Sequence, residues 1–100
     1  MQPIQLYKQE VKELTKLFRT EWSDVRSIAE QNNLSPSNTF LLSYIEDETE
    51  IFLLFNLKKG LYLYEKIDNK ISFEKVTIGT IEKDFPQVSV LKDLENFDSW

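Results

Sequence analysis

Five large apolar residues in a row, Ile51-Phe52-Leu53-Leu54-Phe55, stand between Glu50 and Asn56 and limit what this chain can fold into more than any other stretch. The run is too short for a helix and is made of types that favour strands. Along a strand successive side chains point to opposite faces, so Ile51, Leu53 and Phe55 face one way and Phe52 and Leu54 the other. A strand apolar on both faces belongs in the middle of a sheet, with cover above and below. The neighbouring sequence supplies the rest of that sheet, and the covers have to come from the two ends of the chain.

Thr39–Ile45 reads as the preceding strand, joined through the polar loop Glu46-Asp47-Glu48-Thr49. After the apolar run, Lys58-Lys59-Gly60 is expected as a three-residue loop with Gly60 in the left-handed position. That loop sets Leu57 opposite Leu61, Phe55 opposite Leu63 and Leu54 opposite Tyr64. The third strand is then Leu61–Ile67, with Tyr62 and Tyr64 on the face of Phe52 and Leu54. Asp68-Asn69-Lys70 turns the chain into a fourth strand, Ile71–Val76. A two-residue turn groups Ile71 and Phe73 with the tyrosines, whereas a three-residue turn groups them with Leu61 and Leu63. The latter is preferred because it gathers aliphatic side chains.

Ahead of the sheet, Tyr7, Val11, Leu14, Phe18, Val25, Ile28 and Ala29 recur at helical spacing, with Leu17 and Trp22 alongside. A continuous helix from Pro3 to Asn32 runs to about 45 Å at 1.5 Å per residue, longer than a domain of this size is wide. It either breaks at Thr20-Glu21-Trp22-Ser23-Asp24, with Ser23 capping a second helix, or protrudes and exposes Val11, Leu14 and Phe18. Asn32-Asn33, Leu34 and Ser35-Pro36 mark its end: a left-handed turn, an apolar residue folding back, and a stop. The helix is expected on the face of Leu53, Phe55, Leu61 and Leu63. Beyond the sheet, a turn at Thr80–Phe85 precedes a short helix over Val90–Phe97, capped by Ser89 and able to lie on the tyrosine face.

Composition narrows function. The 100 residues contain no cysteine and no histidine, which removes disulfides, thiolate and imidazole catalysis and the commonest zinc ligands. No apolar stretch has the length of a membrane span or a signal peptide, and a cysteine-free chain fits the cytoplasm. Residues 1–32 carry five basic and five acidic side chains, while residues 33–100 carry seven against twelve. This surplus repels phosphate backbones and disfavours nucleic acid. Neither glycine belongs to a phosphate-binding loop, and Glu46-Asp47-Glu48-Thr49-Glu50 lacks the spaced pattern of a calcium loop, so no cofactor or metal is expected.

These features predict one α+β domain over residues 1–100. An N-terminal helix, continuous or bent near residue 22, packs on a four-stranded antiparallel β-meander and is followed by a short C-terminal helix. Size and acidity are those of small adaptors, inhibitors and immunity proteins, and no assembled motif points to an enzyme. The expected function is non-catalytic binding of a protein partner, or of a second copy. The candidate interface is Phe52, Leu54, Tyr62 and Tyr64 on the sheet and Phe18 and Trp22 on the helix, whose broad apolar bodies and polar tips suit interface cores. The rival is a small-ligand pocket between helix and sheet, walled by Tyr44, Tyr62, Tyr64 and Trp22.

Overall fold

The computed structural model describes residues 4–100, so the expected helix start at Pro3 lies outside the described residues. Helix α1 spans Ile4–Thr20 and α2 spans Ser23–Gln31. A single 3-10 turn, Pro36–Asn38, leads into β1 (Thr39–Glu46), β2 (Glu50–Asn56), β3 (Gly60–Ile67) and β4 (Lys70–Val76). These form an antiparallel sheet in sequence order, followed by a one-turn helix, α3 (Ile78–Ile81), and a 3-10 segment over Pro86–Ser99. The α+β meander flanked by helices is the architecture the periodicity predicts.

The long helix resolves its length problem by breaking. At 1.5 Å per residue α1 is about 25 Å long, which fits within the 35 × 27 × 23 Å body. At the elbow the amides of Glu21 and Trp22 donate to Leu17 O (2.7 and 2.9 Å), and the Arg26 guanidinium donates to Phe18 O (3.2 Å), closing α1. Ser23 does not cap α2. It is already helical, and the capping position falls on Trp22, which makes no side-chain bond there. At the other end Asn33 takes a left-handed φ of 64° and the Leu34 amide donates to Ala29 O (2.9 Å), with the Leu34 side chain folded into the core as expected.

The placement of α1 differs from expectation. It runs along the outer edge of β1, and Thr15, fully buried, accepts a hydrogen bond from the Leu41 amide at 3.0 Å. Arg19 donates to the carbonyls of Pro36 (3.0 Å), Ser37 (3.2 Å) and Thr39 (3.2 Å). Side chains of the helix thus occupy backbone groups that an edge strand otherwise leaves to water or to another chain. Because α1 crosses this edge, one apolar stripe serves two layers. Tyr7 and Val11 join Leu42, Leu53 and Leu61, while Phe18, with Val25 and Ala29 of α2, joins Leu41, Phe52, Leu54 and Tyr64. The start of α1 thus shares the face of Leu53, Phe55, Leu61 and Leu63 with the C-terminal segment, whereas the end of α1 and α2 cover the aromatic face expected to lie under the C-terminal segment.

The last segment is 3-10 rather than α-helical, and its spacing explains why. Phe85, Val88, Leu91, Leu94, Phe97 and Trp100 recur every third residue, and a 3-10 helix, with three residues per turn, aligns such a row on one side. Its backbone kinks at Asn96. Phe97 meets Phe40 edge-on at 4.8 Å and Trp100 at 5.1 Å, while Lys12 donates to Trp100 O at 2.8 Å, so the terminal tryptophan is docked.

Two registers correct the expectation. At the β2–β3 turn Asn56 pairs with Gly60 and Phe55 with Leu61, two residues from the expected alignment. The cause is Asn56, whose side-chain oxygen accepts from the amides of Lys58 and Lys59 (2.9 and 3.0 Å) and so starts the turn earlier. A shift of two keeps every side chain on its expected face, and Gly60 does take a positive φ, 99°. At the β3–β4 turn Ile67 pairs with Lys70 across a two-residue loop, not three, and Asp68 and Asn69 both hold positive φ (49° and 66°). Asp and Asn tolerate these values, and the resulting turn matches the strand twist. Phe73 therefore sits on the tyrosine face, and Tyr62 stacks on it at 5.3 Å.

Candidate functional site

The aromatic face is built by one row across the sheet. Tyr44 of β1 pairs with Phe52 of β2, Phe52 with Tyr64 of β3, and Tyr64 with Phe73 of β4. Tyr44 belongs to this row only because β1 carries a bulge. The pairing changes step between Leu41 and Ser43, leaving Leu42 as an extra residue buried beside Leu53. Without it the residues after Leu41 exchange faces, and Tyr44 points away from Phe52.

The α1–α2 elbow sets Trp22 over this row. Its indole lies 4.9 Å from the Tyr44 ring and 5.3 Å from Phe52, while Tyr44 and Phe52 stack at 4.5 Å and Phe52 meets Tyr64 edge-on at 5.3 Å. Beside these rings opens a cleft of about 290 Å³, lined by Glu21, Trp22, Asp24, Tyr44, Glu50, Phe52, Tyr64 and Lys66 among others. Three carboxylates face one ammonium. Among the described residues the ion pairs are Lys8–Asp93 (3.1 Å) and Arg26–Glu30 (3.9 Å); Glu50 stands opposite Lys66 across the β2–β3 ladder without closing an ion pair, and Glu21 and Asp24 close none either.

Tyr64 is the unusual member. Its residue is 1% exposed and lines the cleft, and its hydroxyl makes no hydrogen bond to the protein among the described residues, which leaves it to solvent. Burial raises its pKa, and the negative charges of Glu50 and Asp24 raise it further. Tyr44 is pushed up to about 12, first by burial, then by the 2.6 Å hydrogen bond it donates to Glu46 and by the charges of Glu46 and Glu50. Both shifts report a site that disfavours added negative charge.

Of the six residues singled out from sequence, Phe52, Tyr64 and Trp22 meet here. Phe18 and Leu54 are fully buried in the core beneath the elbow, where any contact with a partner needs the fold to open. Tyr62 is half-buried and turned toward Phe73, away from the cleft, so the pocket wall expected from Tyr44, Tyr62, Tyr64 and Trp22 forms without Tyr62. Asp24, Glu21 and Glu50, missed from sequence, come from different elements; only the elbow brings them together. The acidic hairpin 46–50 ends as a turn, and among the described residues no three acidic side chains converge as metal ligands do.

A larger depression, about 570 Å³, lies between Arg19, Phe40, Leu94 and Phe97. Its half-buried cation is committed to structure: the Arg19 guanidinium donates to three carbonyls and sits 5.1 Å over the Phe40 ring. Among the described residues no helix is long and apolar enough to cross a membrane. Comparison with protein-family models, with curated proteins and with solved structures finds no match to this chain.

Proposed function

We propose that this chain is a non-catalytic protein-interaction module that seats a lysine or arginine side chain of a basic partner in the elbow cleft. The observation that carries this reading is the Tyr64 hydroxyl, held by a buried residue at a cleft rimmed by Asp24, Glu21 and Glu50. A cationic tip there meets carboxylates and the phenolic oxygen, and its aliphatic stem lies against Trp22, a contact that aromatic faces favour for cations. The acidic surplus over residues 33–100 supports approach by a basic surface. Absence of cysteine supports the cytoplasm as the setting.

Charge favours this reading over the small-ligand rival, since three carboxylates line the cleft against one ammonium. At about 290 Å³ the cleft stands at the small end of ligand pockets, which run to about 300–1,000 Å³, and it has room for one long side chain. Calorimetric titration with a peptide bearing lysine and arginine tests the proposal. Asp24→Asn and Glu50→Gln are each expected to weaken binding about three- to tenfold at low salt. Equal binding of a peptide with neutral residues in their place, or no effect of either variant, refutes it.

A further inference from the structure

The two edges of the sheet are treated differently. The β1 edge is occupied by Thr15 and Arg19, whereas β4 is the last strand and no further strand pairs with it among the described residues. Its outer residues are solvated, with Ile71 47% exposed. Edge strands normally carry features that discourage pairing, such as an inward charge, a proline or a bulge. Here Lys70–Val76 pairs regularly with β3 along its length and has no proline or bulge; it does carry Lys70, Glu74 and Lys75, charges of both signs that discourage a generic partner strand but can oppose one another across a second copy.

Hydrogen-bond direction fixes which residues offer their backbone. A two-residue hairpin turn closes on a hydrogen-bonded pair, here Ile67 and Lys70. Alternation then turns the backbone groups of Lys70, Ser72, Glu74 and Val76 toward β3 and those of Ile71, Phe73 and Lys75 outward. We infer that β4 pairs antiparallel with β4 of a second copy of this chain, about a two-fold axis at Ser72, to make one continuous eight-stranded sheet.

The sequence of β4 selects both the occupant and the register. Two-fold pairing requires opposed residues to lie on the same face, so the axis passes through a residue. With the axis at Ser72, Lys70 opposes Glu74 of the second copy and Glu74 opposes its Lys70. On the other face Ile71 opposes Phe73 and Phe73 opposes Ile71, and both residues of each pair direct backbone groups outward. With the axis at Phe73, Ile71 instead meets Lys75 and Lys70 meets Val76. With the axis at Glu74, two glutamates meet directly. Only the Ser72 register sets charge against opposite charge and apolar against apolar. It also places Ile71 of one copy over the half-buried Phe73 of the other, extending the Tyr62–Phe73 stack.

The test is sedimentation equilibrium over a concentration series reaching the millimolar range. The mass is expected to rise toward twice the 11.9 kDa of the chain. Lys70→Glu and Glu74→Lys each replace two attractive pairs by repulsive ones and are expected to weaken association about tenfold. The double variant restores the opposition with signs exchanged and is expected to recover it. Ile71→Pro removes an outward-facing donor without breaking the β3 ladder and is expected to give a monomer. Lys70 and Glu74 are both exposed, so circular dichroism of the charge variants is expected to match the parent. Asp24→Asn and Glu50→Gln leave association unchanged, which separates this surface from the cleft. A mass that stays at 11.9 kDa at every concentration overturns the inference. So does a dimer indifferent to the charge reversals, or a double variant that fails to recover.

Discussion

Replacing Thr15 by valine removes one acceptor and almost nothing else. The Thr15 side chain is fully buried, and its hydroxyl oxygen receives the Leu41 amide at 3.0 Å. Valine keeps the shape, but the Leu41 amide cannot be deleted with it, so a buried donor is left unpaired at a cost of about 1–3 kcal/mol. A domain of this size has about 5–15 kcal/mol in all, and its melting temperature moves by about 4–8 °C for each kcal/mol lost. Urea denaturation is expected to show a lower midpoint with an unchanged slope, since the same surface is exposed on unfolding. Stability alone does not separate a lost hydrogen bond from altered packing, so amide exchange at Leu41 is followed in parallel. Thr15→Ser keeps the acceptor and is expected to retain slow exchange at Leu41, whereas Thr15→Val is expected to lose it. A valine variant as stable as the parent, with the Leu41 amide still protected, refutes the claim that α1 closes the β1 edge through this bond.

Three further outcomes are expected. Tyr64→Phe deletes a hydroxyl with no partner among the described residues, so stability is expected to stay within about 0.5 kcal/mol of the parent, while affinity for a basic peptide falls; calorimetry and urea melts check the two halves. Tyr44, raised from 10.0 to about 12, favours its neutral form in the folded chain. Its contribution is therefore complete below pH 10.0 and is lost as pH rises toward about 12, with a slope below about 1.4 kcal/mol per pH unit because solvent reaches the site. Tyrosinate absorbance followed with stability against pH, in the parent and in Tyr44→Phe, checks this. Gly60→Ala forces a Cβ onto a residue at φ 99°, 3.4 Å from the Lys75 side chain, and is expected to cost about 1 kcal/mol or more in a urea melt.

What the sequence made legible was whatever depends on local periodicity. The apolar run at 51–55, the helical stripe, the elbow near Trp22 and the stop at Asn33 and Leu34 were all readable, because each is set by side chains near one another in the chain. The turns were half readable. Gly60 announced its positive φ, but the turn began at Asn56 because a side-chain oxygen competed for the amides of Lys58 and Lys59. The three-residue period at the C-terminus is present in Val88, Leu91, Leu94 and Phe97, but Val90, Leu91, Leu94 and Phe97 also fit an α-helical stripe, so spacing alone does not choose between the two helices. The site was the least legible part. It depends on the Leu42 bulge, which aims Tyr44, and on α1 lying along a strand edge rather than flat on a face, and neither leaves a local trace. Asp24 and Glu50 lie far apart in sequence and become neighbours only through both.

If the elbow cleft is a seat for a positively charged side chain, the charged group by itself gives the most direct measurement. Titration of the protein with n-butylammonium, and separately with the neutral isostere 1-butanol, is followed by the NMR signals of the Trp22 indole and the Tyr44, Phe52 and Tyr64 rings. The cleft is predicted to give saturable shifts at these four residues with the ammonium, absent with the alcohol and reduced in Glu50→Gln. Equal shifts with both compounds, or shifts confined to Trp100 and the Arg19 depression, contradict it.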